Sequence, residues 1–233
     1  MASTSRPANI IIGGLLLFVP ALLAALALPR LLQGVRAEPF HRVVDFAQLG
    51  KRLSPSTYRA AADALAGASE NDGESLSERA QILVLSAGND PATLVRSRAL
   101  AVDALRAGPS NPDAWLVLCQ IDSLQSPTAA NRCLDGAFTI APYDWYTAER
   151  RMQLTAQEWP YLDEHVRDKA VSVVLPMWNI VWPMSNYTLR GTLYELSFTD
   201  NGRQLLRAGF AGHRSELRDF NRYIIESNTY GPQ

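Results

Sequence analysis

Residues 109–142 read PSNPDAWLVLCQIDSLQSPTAANRCLDGAFTIAP, and two dipeptides inside this stretch decide how the chain folds. Asn111-Pro112 and Ser126-Pro127 each place a side-chain oxygen acceptor ahead of a proline. That proline suits a first helical position, because its missing N–H is not needed there and its φ is already helical. Two helices therefore start here. On the first, Trp115, Leu118, Cys119 and Asp122 recur at i, i+3, i+4 and i+7; on the second, Ala130, Leu134 and Ala137 share one face. The expected product is an antiparallel helical hairpin, which cannot bury its apolar faces without neighbours.

The offsets of Trp115, Leu118, Cys119, Ala130, Leu134 and Pro142 resemble the tetratricopeptide repeat, whose pattern is W-x2-L-G-x2-Y, A-x3-F, P. Cys119 takes the place of the small Gly, Leu134 that of Phe, and Asp122 departs from Tyr. The resemblance implies an all-α chain built as a short solenoid of helical hairpins, here preceded by an N-terminal transmembrane helix.

Neighbouring units are legible on both sides. Upstream, Ser54-Pro55 opens a helix to about Ala66, residues 67–73 form a polar loop, a helix follows over about Ser75 to Leu85, and Asp90-Pro91 starts another that ends near Arg106. Ala101 and Ala104 stand before Pro109 at the offsets that Leu134 and Ala137 have before Pro142. Downstream, the sequence predicts helices from about Trp145 to Ala156 and from Trp159-Pro160 to about Leu175. Pro176 follows Pro142 by one further period, but Arg151 occupies the place of Leu118, as in a degenerate capping unit. From Met177 the chain turns aromatic (Trp178, Trp182, Tyr187, Tyr194), with a turn over Ser197 to Gly202, a short helix over Arg203 to Ala208 and a last helix over Ser215 to Ser227. The expected organisation is a tail and anchor over 1–32, a juxtamembrane linker over 33–54, hairpins over 55–176 and a helical cap over 177–233.

The N-terminus carries a membrane signal. Ile10 to Leu28 is 19 residues without a charge, long enough to span a bilayer core as a helix. Ala25-Leu26-Ala27 fits a cleavage site, but the apolar run exceeds the usual signal-peptide length, which favours an uncleaved anchor. A short tail ahead of one span and a large C-terminal domain resembles bacterial single-span proteins of the inner membrane whose domain is periplasmic. The lipid bilayer is then a partner through residues 10–28.

Composition narrows the function. With 22 Lys and Arg against 23 Asp and Glu, the net charge is -1 and no basic stripe is present, which argues against nucleic acid as a partner. His41, His165 and His213 lack a second ligand at metal spacing, Cys119 and Cys133 do not form a C-x-x-C, and there is no phosphate-cradling glycine loop or nucleophile elbow. No cofactor, metal or catalytic residue is implied. Glu149 with Asp163-Glu164 is the one candidate carboxylate couple, and the nearby Arg150, Arg151 and Arg167 suggest surface ion pairs instead. Asn186-Tyr187-Thr188 matches a glycosylation acceptor by chance composition.

By resemblance to the repeat family, the binding groove would be formed by Asp113, Leu116, Gln120, Ser123 and Leu124 of one unit and by Tyr146, Glu149 and Gln153 of the next. This implies a membrane-anchored adaptor or scaffold that contacts a membrane protein or complex. Anchored proteins with one or two such repeats and an Ala-Pro-Tyr-Asp turn are similar to accessory components of bacterial exopolysaccharide or O-antigen assembly, which adds polysaccharide as a candidate ligand. The alternatives are a glycan-active enzyme using Glu149 or Asp163, and a secreted helical binding protein after signal cleavage. Cys119 and Cys133 sit on the two helices of the central hairpin, where they form either a disulfide, if the domain is outside the cytoplasm, or two small buried thiols.

Overall fold

The computed structural model describes residues 22, 25, 27, 28, 31, 32, 35, 42–44, 53–66, 72–87, 90–180 and 183–230. Among them the chain is all-α. Ten α-helices are present: α1 (Pro55–Ala66), α2 (Gly73–Ala87), α3 (Pro91–Ala107), α4 (Pro112–Gln125), α5 (Ala130–Ile140), α6 (Trp145–Glu158), α7 (Glu164–Asn179), α8 (Pro183–Leu196), α9 (Asp200–Gly209) and α10 (Arg214–Tyr230). Short 3-10 turns at Pro127–Ala129 and Trp159–Tyr161 lead into α5 and toward α7.

Most of the predicted starts are visible as caps. The Asp90 carboxylate accepts from the Ala92 and Thr93 amides with Pro91 next in line, and Asn111 Oδ1 accepts from the Ala114 amide at 3.0 Å. Asn111 also ties the start of α4 to α2, because its Nδ2 donates to Gly73 O at 3.0 Å and to Ser77 Oγ at 3.2 Å. Ser126 differs from the expectation. Its hydroxyl meets Thr128 Oγ1 rather than a backbone amide, and the proline opens a 3-10 turn, so that α5 begins only at Ala130. Trp159-Pro160 likewise makes a 3-10 turn, and α7 then runs through Pro176 to Asn179. Proline is tolerated there because it lies in the last turn, where only one backbone hydrogen bond is forfeited, while Met177 and Trp178 beyond it are drawn into the core.

Most helices meet a chain neighbour, as α2 does α3 and α4 does α5, and a second set of contacts links alternate helices: α2 with α4, α4 with α6, α5 with α7, α6 with α8 and α7 with α9. Alanines make these crossings close. Ala80, Ala101, Ala130, Ala148 and Ala170 are all fully buried in the main core beside Val117, Leu134, Met152, Val174 and Leu205. Gly136 serves the same end in α5, where a Cβ would lie 2.9 Å from Trp115 Cε3, and Gly209 in α9 lies where a Cβ would meet Val174 at 2.4 Å. Trp115 is therefore half-buried, flat against Gly136, with its indole N–H on Pro109 O at 3.2 Å. Asp122, which stands where the repeat pattern has Tyr, accepts from Arg98 Nε of α3 at 3.3 Å.

Arg151 is the main surprise. The sequence places a charge where the repeat needs an apolar residue, and the structure buries it to 1% exposure. Its Nη1 and Nη2 donate to Ala141 O (2.5 Å) and Pro142 O (3.0 Å), just past the end of α5, and its guanidinium lies 4.9 Å from the Phe138 ring centroid. A cation at a helix C-terminus is electrostatically favoured as well as hydrogen-bonded.

Trp178, Phe210 and Phe220 of the C-terminal segment are core. Trp178 meets Phe210, Phe220 and Tyr223 edge to face, with the Arg190 guanidinium 4.5 Å over its ring. The turn predicted over Ser197 to Gly202 is shorter than expected, because Thr199 caps α9 through the Gly202 amide; Trp182 lies outside the described residues. So does most of the predicted anchor. Leu22, Ala25, Ala27, Leu28, Leu31, Leu32 and Val35 are helical and exposed, and among the described residues no helix is long and apolar enough to cross a membrane. In the predicted linker, Val43 and Val44 are buried with Tyr58, Ala61 and Leu65.

Candidate groove on the α2, α4 and α6 face

The groove residues inferred from the repeat pattern lie on α4 and α6, and the structure brings half of them to one place. Gln120, Ser123, Leu124 and Gln153 line a single depression of about 250 Å³, together with Val84 of α2 and Arg150, Leu154 and Gln157 of α6. Gln120 and Gln153 are 33 residues apart, the spacing of Pro109 and Pro142, and each contributes an amide to the same depression. Leu124 is 57% exposed, an apolar contact beside three glutamine amides.

Beneath the depression sits Arg150, a residue the sequence reading assigned to the surface. Its Nη1 donates to Gln81 Oε1 and Asp113 Oδ1, both at 2.9 Å, and its Nη2 to Gln120 Oε1 at 3.3 Å. One guanidinium thus fastens α2, α4 and α6. Burial pushes the Arg150 pKa down and the Asp113 pKa up, and in each case the charge of the partner opposes the shift. With the floor charge neutralised and hydrogen-bonded, the depression offers neutral donors and acceptors rather than a net charge.

Leu116 is a correction. It was placed in the groove, but it is 1% exposed, because α4 is covered by α2 on one side and α6 on the other. Tyr146 is 95% exposed at the start of α6. Glu149 is half-buried one turn before Gln153, whose Nε2 donates to Glu149 Oε1 at 3.3 Å and to Glu195 Oε2 of α8 at 3.4 Å. Burial, then Glu195, raises the Glu149 pKa above its ordinary value.

The candidate carboxylate couple of Glu149 with Asp163, set aside in favour of ion pairs, does not form. Asp163 stands just before α7 without a side-chain capping bond, its amide donating to Asn131 Oδ1 at 2.8 Å, and lines a different depression with Asp122, Asp135 and His165. The ion pairs expected around it do not form either. Arg150 pairs with Asp113, Arg151 serves the carbonyls after α5, and Arg167 donates to Trp159 O and Pro160 O. His165 and His213 sit beside single carboxylates, Asp135 and Glu216, and no group of three metal-ligating side chains exists among the described residues.

Cys119 and Cys133 are joined across α4 and α5, with Cα atoms 5.3 Å apart, inside the range a disulfide requires. Sequence reasoning missed Gln81, Arg150 and Glu195. Arg150 carried no usable signal, because it stands beside Arg151 in a run of charged residues and only the angle of α6 separates their roles. Comparison with family models, with curated proteins and with solved structures found no match.

Proposed function

We propose that the chain is a membrane-anchored helical-repeat adaptor that uses the α2, α4 and α6 face to hold an extended segment of a membrane-protein partner. The observation that carries this reading is the shared depression, in which Gln120 and Gln153, 33 residues apart, stand above a locked Arg150. Glutamine amides present a donor and an acceptor each, which suits a peptide main chain, and Leu124 supplies an apolar contact. The tetratricopeptide-like solenoid, the anchor over residues 10–28 with the domain in the periplasm, and a place in an envelope polysaccharide assembly belong to the same proposal.

Photo-crosslinking from Leu124 and Tyr146 in the native host tests it. The expected result is one or a few membrane-protein adducts, lost on Gln120→Ala with Gln153→Ala in a chain that still folds. Adducts that survive the double substitution, or that form equally from Arg106 on α3, would refute the assignment. A second reading, a glycan-active enzyme, is favoured by the Glu149 and Glu195 carboxylates on one amide. Glycan cleavage by the purified chain, abolished by Glu149→Gln, would establish it in place of the adaptor.

A further inference from the structure

A second cavity, of about 430 Å³, lies between α1, α2 and α3 and shares no lining residue with the groove. Three arginines line it, Arg59 from α1, Arg79 from α2 and Arg96 from α3. Among the described residues none of the three makes a hydrogen bond or an ion pair within 4 Å, whereas Arg98, Arg106 and Arg150 all do. Arg79 Nε is buried with no acceptor. Burial, followed by the charge of Arg96, holds the Arg79 pKa below its ordinary value, opposed only by Asp63.

The lining carboxylates do not neutralise this set. Asp63 and Asp90 set two carboxylates against three guanidinium groups, so the lining keeps one net positive charge, and both Asp90 oxygens are already engaged by the Ala92 and Thr93 amides and the Thr93 hydroxyl. Like charges directed at one cavity repel, and a guanidinium N–H buried without an acceptor is a standing cost. A multi-oxygen anion in the cavity would offset the repulsion, because guanidinium forks match phosphate geometry in pairs of N–H···O bonds. The cavity is larger than a bare phosphate needs, and its remaining lining includes the apolar Pro55, Ala62 and Leu83.

We propose that the cavity lined by Arg59, Arg79 and Arg96 binds a phosphate-bearing anion, the phosphate on the guanidinium groups and an attached organic group against Ala62 and Leu83. The phosphate can come from a soluble monoester or from a lipid headgroup, and the two arms of the test separate these sources. Full-length chain in a neutral detergent is titrated by calorimetry with phenyl phosphate, and separately with dihexanoyl phosphatidate below its micellar concentration, at constant ionic strength set with sodium chloride. Saturable binding to either is expected, weakened at least tenfold by Arg79→Gln and by Arg96→Gln and unchanged by Arg106→Gln. Arg96 is exposed, so its variant keeps the test valid where Arg79→Gln fails to fold. Binding at least tenfold tighter for phosphatidate assigns the site to a lipid headgroup; equal or weaker binding assigns it to soluble phosphoesters. No saturable binding of either probe, or binding that both arginine variants retain, overturns the proposal.

Discussion

Replacing Arg151 tests whether its burial after α5 is a structural device. Burial pushes its guanidinium pKa down from the ordinary arginine range to about 10, a shift that corresponds to about 3 kcal/mol against the charged form. The two bonds to Ala141 O and Pro142 O offset this at about 1.5–3 kcal/mol each. Arg151→Met keeps the apolar stem, abolishes the desolvation cost and frees two half-exposed carbonyls to take up water. Its expected cost is therefore only about 0–2 kcal/mol. Arg151→Ala also removes the buried stem from beside Phe138, adding a cavity, for a total of about 3–5 kcal/mol. Thermal unfolding of the full-length chain in a mild detergent, followed by circular dichroism, should place the alanine variant roughly 10 °C below the parent and well below the methionine variant. An alanine variant within about 1 kcal/mol of the parent, or a methionine variant equally damaged, would refute the reasoning.

Reduction of the Cys119–Cys133 bridge should cost about 3 kcal/mol in the chain-entropy model, for a sequence separation of 14, measured as the shift in unfolding midpoint with dithiothreitol; two free thiols in protein isolated from its own host would contradict oxidation in the cell. Trp115→Ala should destabilise by about 2–3 kcal/mol, less than a fully buried tryptophan, because the ring is half-buried against Gly136, and a loss below about 1 kcal/mol would show that this contact does not hold the hairpin. Glu149 has a folded-state pKa raised by burial and by Glu195, so the native state binds its proton more readily and its contribution to stability is lost as pH rises above the ordinary carboxylate range. Glu149→Gln should therefore raise stability at neutral pH and flatten the decline between acidic and neutral pH; an unchanged pH profile would count against the carboxylate contact.

Local signals alone determined most of the helices. Asn111-Pro112 and Asp90-Pro91 cap and start helices through contacts within three residues, so they work wherever the chain carries them, while Gln120 and Gln153, 33 residues apart in the sequence, line one depression. Tertiary structure decided the rest, because it depends on distances between residues far apart in the chain. Arg150 and Arg151 are adjacent and chemically identical, yet 100° of helix rotation sends one to Gln81 and Asp113 and the other to the carbonyls after α5. Leu116 fits a groove pattern by spacing and is buried only because α2 and α6 both reach α4. The pairing of Glu149 with Glu195 rather than Asp163 likewise follows from α8 returning across α6, a contact spanning 42 residues through Gln153 that no local period encodes.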